Sequence, residues 1–186
     1  MDRARRPYWI ALAIGIAAAA ILLAMGRHPI CTCGSVGLWV GARDSAQTSQ
    51  MIADWYSLSH IVHGLIFYAV LAWIVPRWPV GWRFALALGI EAAWEVIENT
   101  PMVIDRYREE TAALGYTGDS VINSISDVAW MMLGFGLARR LPVWGTIGVA
   151  VTFELFTLYM IRDNMTLNVL MLFAPIDAIK VWQGGG

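Results

Sequence analysis

Glu91, Glu95 and Glu98 recur at i, i+4 and i+7 and therefore line one face of one helix, inside a stretch that is otherwise apolar. Carboxylates held in such a setting act as acids and bases or as ligands for a cation. His60 and His63 add two imidazoles one helical turn apart, a spacing that suits a metal or a proton relay. Asp119, Asn123 and Asp127 make a third stripe at i, i+4 and i+8. Asp119 is suited to capping the first turn of its helix, whereas Asp127, two turns deeper, has no capping role to account for it. The candidate catalytic groups are thus His60, His63, Glu95, Glu98 and Asp127. Glu91, Asp119, Asn123, Glu154, Arg162, Asp163, Asn164 and Asn168 are expected to line the same polar site. A divalent metal is the candidate cofactor, with His60, His63 and Glu95 as its ligands.

The elements that must position these groups are membrane helices. Hydrophobic residues make up 58% of the chain and charged ones 15%, with a mean hydropathy of +0.57. Soluble domains carry roughly 45–50% apolar and about 25% charged residues. A charge near the middle of a membrane helix costs about 2.5–3.5 kcal/mol, and Leu, Ile, Phe or Val each return only about 0.3–0.6 kcal/mol. Three acids outweigh the apolar residues of their own helix. They must be protonated, near the water interface, paired with other helices or bound to a cation, and each alternative requires a polar interior. The net charge of −1 argues against a nucleic-acid partner, which would need a basic surface.

Hydropathy predicts an all-α polytopic bundle forming one domain over 1–186. It has about six spans, at residues 8–25, 56–75, 82–99, 119–138, 143–161 and 166–182. Arg3, Arg5 and Arg6 precede the first span, whose uncharged run exceeds the roughly 7–15 residues of a cleaved signal and reads as an anchor. Residues 26–55 form an external loop, and residues 100–118 a second loop of mixed charge. Pro175 interrupts the last span and offers an alternative, a short or re-entrant helix followed by an interfacial tail. Under the six-span scheme Arg3, Arg5, Arg6, Arg77, Arg83, Arg139, Arg140 and Lys180 lie on one side, and Arg27, Arg43, Arg106, Arg108 and Arg162 on the other. This bias puts both termini in the cytoplasm and most of the polar residues in the outer, periplasmic half, with Glu91 near mid-membrane.

Structural alternatives exist for each group. The two histidines could simply be hydrogen-bonded near a helix start, and Glu154 could pair with Arg162 or Asn168. Cys31 and Cys33, three residues and more beyond His28, could bind a soft metal, form a disulfide despite their i, i+2 spacing, or play a redox role. His-Glu-x-x-His, Gly-x-Ser-x-Gly and paired Glu-x-x-His signatures are absent from the sequence.

Several strings carry a resemblance: Pro29-Ile-Cys31-x-Cys33-Gly34, Asp54-Trp-Tyr56, Ser59-His60-x-x-His63-Gly64, Trp94-Glu95-x-x-Glu98-Asn99, Asp105-Arg-Tyr-Arg108, Gly118-Asp119-Ser120-x-x-Asn123-Ser124 and Arg162-Asp-Asn-x-Thr-Leu-Asn168. Over nearly the whole chain they resemble an uncharacterised, domain-of-unknown-function family of bacterial multi-pass membrane proteins, which implies an inner-membrane location. A second likeness is to VanZ-like proteins, which place a His in an early span, a Glu in a middle one and an Asp/Asn stripe later. Asp119 and Asn123 are similar to that stripe, while Asp127 departs from it.

Three classes of function follow. The first is a membrane-embedded, metal-dependent enzyme acting on a lipid or envelope substrate. The second is a non-catalytic accessory subunit, with a homo-oligomer or a larger membrane complex as its setting besides the lipid bilayer. The third is a proton or cation pathway, for which the apolar inner half offers no polar stripe. The number of convergent polar groups exceeds what helix registration needs, and favours the site-bearing protein.

Overall fold

The uncharged N-terminal run forms α1 (Arg6–Ala24), opened by Pro7 in its first turn. Gly26, at φ +84°, ends it: the Gly26 and Arg27 amides turn back to the carbonyls of Leu23 and Leu22, closing the last turn in the manner of a Schellman cap. The computed structural model describes residues 3–111 and 115–185, and among these every regular element is a helix. After α1 come α2 (Ser57–Ile74), α3 (Val80–Glu98), α4 (Pro101–Glu110), α5 (Val121–Arg140), α6 (Val143–Ile161), α7 (Met165–Phe173) and α8 (Asp177–Gln183).

Four helices, α1, α2, α5 and α6, are long and apolar enough to cross a membrane. Helix α3 is as long, at 19 residues, but carries Arg83 and the three glutamates. Its place in the bundle resolves the energetic problem, because α3 packs against α1, α2 and α5. The polar face meets polar neighbours, and Ala85 and Ala92, two turns apart on another face, join Ala11 and Ala18 of α1 in one apolar cluster. Small residues let these helices approach closely without voids.

The closest approach is between α2 and α5. A Cβ on Gly64 would fall 2.0 Å from the Met131 carbonyl oxygen, and one on Gly134 would fall 2.0 Å from that of Ile61. Backbone therefore touches backbone at this crossing, and only glycine fits on either side. The pair is fixed one residue after His63 and two turns after Asp127, so the seam sets the positions of both.

Three expectations change. Residues 100–118 do not form a simple loop: Pro101 opens α4, and Val103, Ile104 and Tyr107 supply a buried face at i, i+1 and i+4. Asp119 does not cap α5. Ser120 does, its Oγ accepting from the Asn123 amide at 3.3 Å. The predicted sixth span is two short helices, because Pro175 has no N–H and pushes Ala174 out of helical geometry, to φ −141° and ψ 73°. At nine residues α7 reaches only roughly 13 Å. The chain then turns back, and Gln183 Nε2 donates to Asp163 Oδ1 at 3.0 Å. Residues 165–183 thus form a hairpin that starts and finishes at one end of the bundle. Arg6 and Gln183 consequently lie at opposite ends of the bundle, where the six-span scheme placed both termini on one side.

Candidate functional site

The end of the bundle that gathers the start of α2, the end of α3 and the start of α5 is closed by the 26–55 segment. This segment is tied to α5 by its backbone: the Val121 and Ile122 amides donate to the carbonyls of His28 and Pro29, at 2.8 and 3.1 Å. Asn123 Nδ2 reaches the Met51 carbonyl at 2.9 Å and Trp130 Nε1 that of Ile52 at 3.0 Å. The segment therefore dips into the bundle and roofs the polar residues. Arg27 adds a clamp across Gly118, donating to the carbonyls of Thr117 (2.6 Å) and Asp119 (3.1 Å). A Cβ on Gly118 would sit 2.6 Å from that guanidinium, and its φ of +84° independently requires glycine.

Beneath the roof the acids form layers along α3. Deepest is Glu91, fully buried, held by both imidazoles: His60 Nδ1 lies 2.6 Å from Oε1, and His63 Nδ1 lies 3.1 Å from each oxygen. With Glu91 as the accepting carboxylate, each Nδ1 carries the proton, and Nε2 of each ring is left as the basic nitrogen. The rings meet edge to face at 5.2 Å, and His63 stacks on Phe67. One turn nearer the roof are Glu95 and Asp127. His60 Nδ1 is 3.6 Å from Glu95 Oε1, and His60 Nε2 is 3.7 Å from Asp127 Oδ2, both beyond direct hydrogen bonding. Ser57 Oγ approaches Asp127 Oδ1 at 3.4 Å.

Glu95 stands apart. Its side chain is 1% exposed, and neither carboxylate oxygen has a hydrogen-bond partner among the described residues. A buried carboxylate left unsatisfied is costly, and native interiors seldom contain one without a reason.

In the outermost layer Asn99 clasps Asp119 twice: Nδ2 donates to Oδ2, and the Asp119 amide donates to Oδ1, each at 2.7 Å. Tyr116 donates its hydroxyl to Asp119 Oδ1 at 3.0 Å, and Tyr107 hydrogen-bonds Glu98. Burial pushes the Asp119 carboxyl up to about 6 against the opposing bonds from Asn99 and Tyr116. Burial and the adjacent acids hold the Tyr107 and Tyr116 phenols well above their ordinary range. Asp54, just before α2, is also raised by burial, though it accepts from the Ser49 and Tyr56 amides at 2.7 and 2.8 Å.

A cavity of about 70 Å³ runs along these layers. This is room for a few water-sized groups. Its lining includes the polar His60, His63, Glu98, Asp119 and Asp127 and the apolar Trp94, Met165 and Val169, with no Lys or Arg among the described lining residues. The donor atoms fall into three sets, His60/His63/Glu91, His60/Glu95/Asp127 and Glu95/Glu98/Asp119, the atoms of each set lying within 4.8 Å of one another. Carboxylate oxygens with imidazole nitrogens suit a hard or borderline divalent cation.

The fold brings together His60, His63, Glu91, Glu95, Glu98, Asp119 and Asp127, and it places Asn168 at the cavity rim. Other candidates serve the scaffold. Asn123 ties down the roof. Glu154 pairs with neither Arg162 nor Asn168 but caps α7, accepting from the Met165 and Thr166 amides at 3.1 and 3.0 Å. Asn164 caps the same helix through the Leu167 amide at 2.8 Å. Arg162 ends α6 in the left-handed region and donates to the Trp182 carbonyl at 3.1 Å. Asp163 accepts from Tyr56 Oη, Gln183 and Asn168. Cys31 and Cys33 form a disulfide, which removes both thiolates as metal ligands. Asn99, Tyr107 and Tyr116 were not among the expected site residues. Tyr107 was legible in the apolar period of α4, but Asn99 and Tyr116 meet Asp119 only through tertiary contact.

The fold and site define an all-helical protein with four membrane-length apolar helices and a buried histidine and carboxylate cluster at one end. The chain belongs to the family described as "Protein of unknown function (DUF2585)", whose model matches residues 22–185. It is 56% identical over 182 residues to a "UPF0314 protein" of Sphingopyxis alaskensis, covering 98% of this chain and 97% of that one. A "UPF0314 protein" of Paracoccus denitrificans is 51% identical over 181 residues, covering 97% and 94%. The corresponding protein of Agrobacterium fabrum is 51% identical over 185 residues, covering 98% and 93%. No solved structure matches the chain.

Proposed function

We propose that the chain is a multi-pass protein of the bacterial inner membrane that holds a divalent cation among His60, Glu95 and Asp127 and acts as an enzyme on a lipid-borne or envelope substrate from the periplasmic side. The observation that carries this reading is Glu95, buried with two oxygens unbonded among the described residues, beside an imidazole whose other face meets Asp127. A cation there would satisfy both acids at once. It would supply Lewis-acid polarisation and a water made acidic enough to ionise near neutral pH. Glu91 orients the His60 ring through Nδ1–H, as carboxylates behind metal-ligating histidines do. His63, outside that ligand set, lines the cavity as a group able to take or give a proton. The apolar Trp94, Met165 and Val169 in the lining favour a substrate with a hydrocarbon part.

Orientation rests on charge. Arg3, Arg5, Arg6, Arg77, Arg83, Arg139 and Arg140 belong to the end away from the site. At the site end lie Arg27, Arg43, Arg106, Arg108, Arg162 and, brought there by the α7–α8 hairpin, Lys180, so the bias that orients the chain is seven basic residues against six. The interior of the far half, built from Leu71, Ala85, Leu88, Met131 and Phe135, gives a transmembrane ion or proton route no polar steps.

Metal analysis of the detergent-purified protein tests the proposal. The wild type is expected to retain about one or more equivalents of a divalent metal, and Glu95→Gln and His60→Asn to lose most of it while staying monodisperse. Absence of metal from the wild type after equilibration with Zn²⁺ or Mn²⁺, or content untouched by both substitutions, would reject the reading.

A further inference from the structure

Glu95 belongs to two of the three donor sets. One joins it to His60 and Asp127, the other to Glu98 and Asp119, and in each set the donor atoms lie within 4.8 Å of one another. It is also the acid whose two oxygens both lack a hydrogen-bond partner among the described residues, at 1% exposure. Asp119 and Glu98 are each held by a tyrosine, and Asp119 also by Asn99. These bonds fix the carboxylates while leaving each oxygen a further lone pair. From this arrangement we infer that Glu95 is a bridging carboxylate and that the site holds two divalent cations, one with His60 and Asp127 and the other with Glu98 and Asp119. The inference rests on the single-cation reading above and extends it.

Charge supports the second cation. Glu95 and the cavity-lining Glu98, Asp119 and Asp127 cluster up to four negative charges with no Lys or Arg among the described lining residues, while Glu91 is held apart by hydrogen bonds from the two imidazoles. One divalent ion leaves half of that charge uncompensated, and two balance it. Cations held by a shared carboxylate at roughly 3.5–4 Å clamp an anion across both, so the ligand class implied is a phosphate-type group, with its hydrocarbon part against Trp94, Met165 and Val169.

The test uses the full chain in detergent, stripped by chelator and re-equilibrated with Mn²⁺, read by metal content and by electron paramagnetic resonance. The wild type is expected to take up about two equivalents and to show the spin-coupled spectrum of a bridged pair. Glu98→Gln and Asp119→Asn should each fall to about one equivalent with an uncoupled six-line signal, and Glu95→Gln should lose the coupling altogether. Glu98→Gln keeps the test decisive if Asp119→Asn unfolds by losing its Asn99 contacts. A wild type that binds one Mn²⁺, unaffected by Glu98→Gln, would overturn the bridge and leave the single site standing. Two equivalents without spin coupling would also overturn the bridge, and no uptake at all would remove both readings.

Discussion

Where α2 and α5 begin, the bundle interior is filled by His60, Glu95, Asp127, Asn99 and Asp119; where they end, it is filled by Leu71, Met131, Phe135 and the alanines of α1 and α3. The far half is closed by close-packed apolar side chains, and the Arg83 guanidinium there, whose buried Nε has no hydrogen-bond partner among the described residues, lies over the Tyr68 ring. In the near half the acids come from α3, α5 and the segment just before α5, face the histidines of α2 and are roofed by a backbone-tethered loop, yet Glu95 is left without a hydrogen-bond partner among the described residues. Apolar packing gives the base on which the proposed site stands, and Glu95 is the acid there whose two oxygens both lack a hydrogen-bond partner among the described residues.

The Gly64/Gly134 crossing joins the two halves, and disturbing it should have the largest effect. In Gly134→Val the new Cβ meets the Ile61 carbonyl at 2.0 Å, and the contact is backbone, which has no rotamer to relieve it. We expect a loss of roughly 3 kcal/mol or more. It should appear as aggregation or a strongly lowered melting temperature in detergent, with metal content lost in parallel. If Gly134→Val folds normally and binds the proposed cation as the wild type does, the seam does not set the spacing between His60 and Asp127.

The near half should also answer to pH in a way the far half does not. Asp163, between α6 and α7, is buried, and burial lifts its carboxyl from 3.8 to about 6, despite bonds from the Asn164 amide, Asn168 and Tyr56. A carboxyl raised in the folded state binds its proton more tightly folded than unfolded. Its stability contribution is therefore fully present below about pH 4 and is lost as pH rises through about 6, a difference of roughly 3 kcal/mol for two pK units. Asp163→Asn should flatten the decline in stability between about pH 4 and 6, because Asn keeps an acceptor for the Asn164 amide and carries no charge. Melting temperatures of the two proteins across that range decide it, and parallel curves would show that Asp163 does not ionise as described.

Much of this arrangement was legible in the sequence. The i, i+4, i+7 glutamates, the His60/His63 pair and Asp127 could be read because helical periodicity converts spacing into a shared face, and hydropathy located the long apolar helices. The failures were tertiary. Asp119 and Ser120 are both good caps, and the choice between them depended on Asn99, which no local pattern links to Asp119. Glu154 read as a site residue because a buried acid in an apolar run signals function, but the start of α7 folds back onto it and supplies the amides it needs. Pro175 marked the break in the last span, while the return of Gln183 to Asp163 depends on contacts between residues 20 apart.

The smallest effect is expected on α6, which bears least on the interior: Trp144, Val151, Leu155 and Tyr159 all point away from the bundle, Tyr159 at 85% exposure. Burial against lipid is available to such side chains whether or not the protein is folded, so truncating one removes little that folding gained. Leu155→Ala should therefore change stability by no more than about 0.5 kcal/mol and leave metal content unchanged. A Met131→Ala control at the fully buried far-half position should lose about 2–5 kcal/mol. The same pair of proteins run by size exclusion with light scattering adds a second reading. If Leu155→Ala is markedly destabilised and also shifts the mass of the particle, the outer face of α6 is packed against another protein chain, and the division between a packed interior and a lipid-facing shell must be redrawn to include that contact.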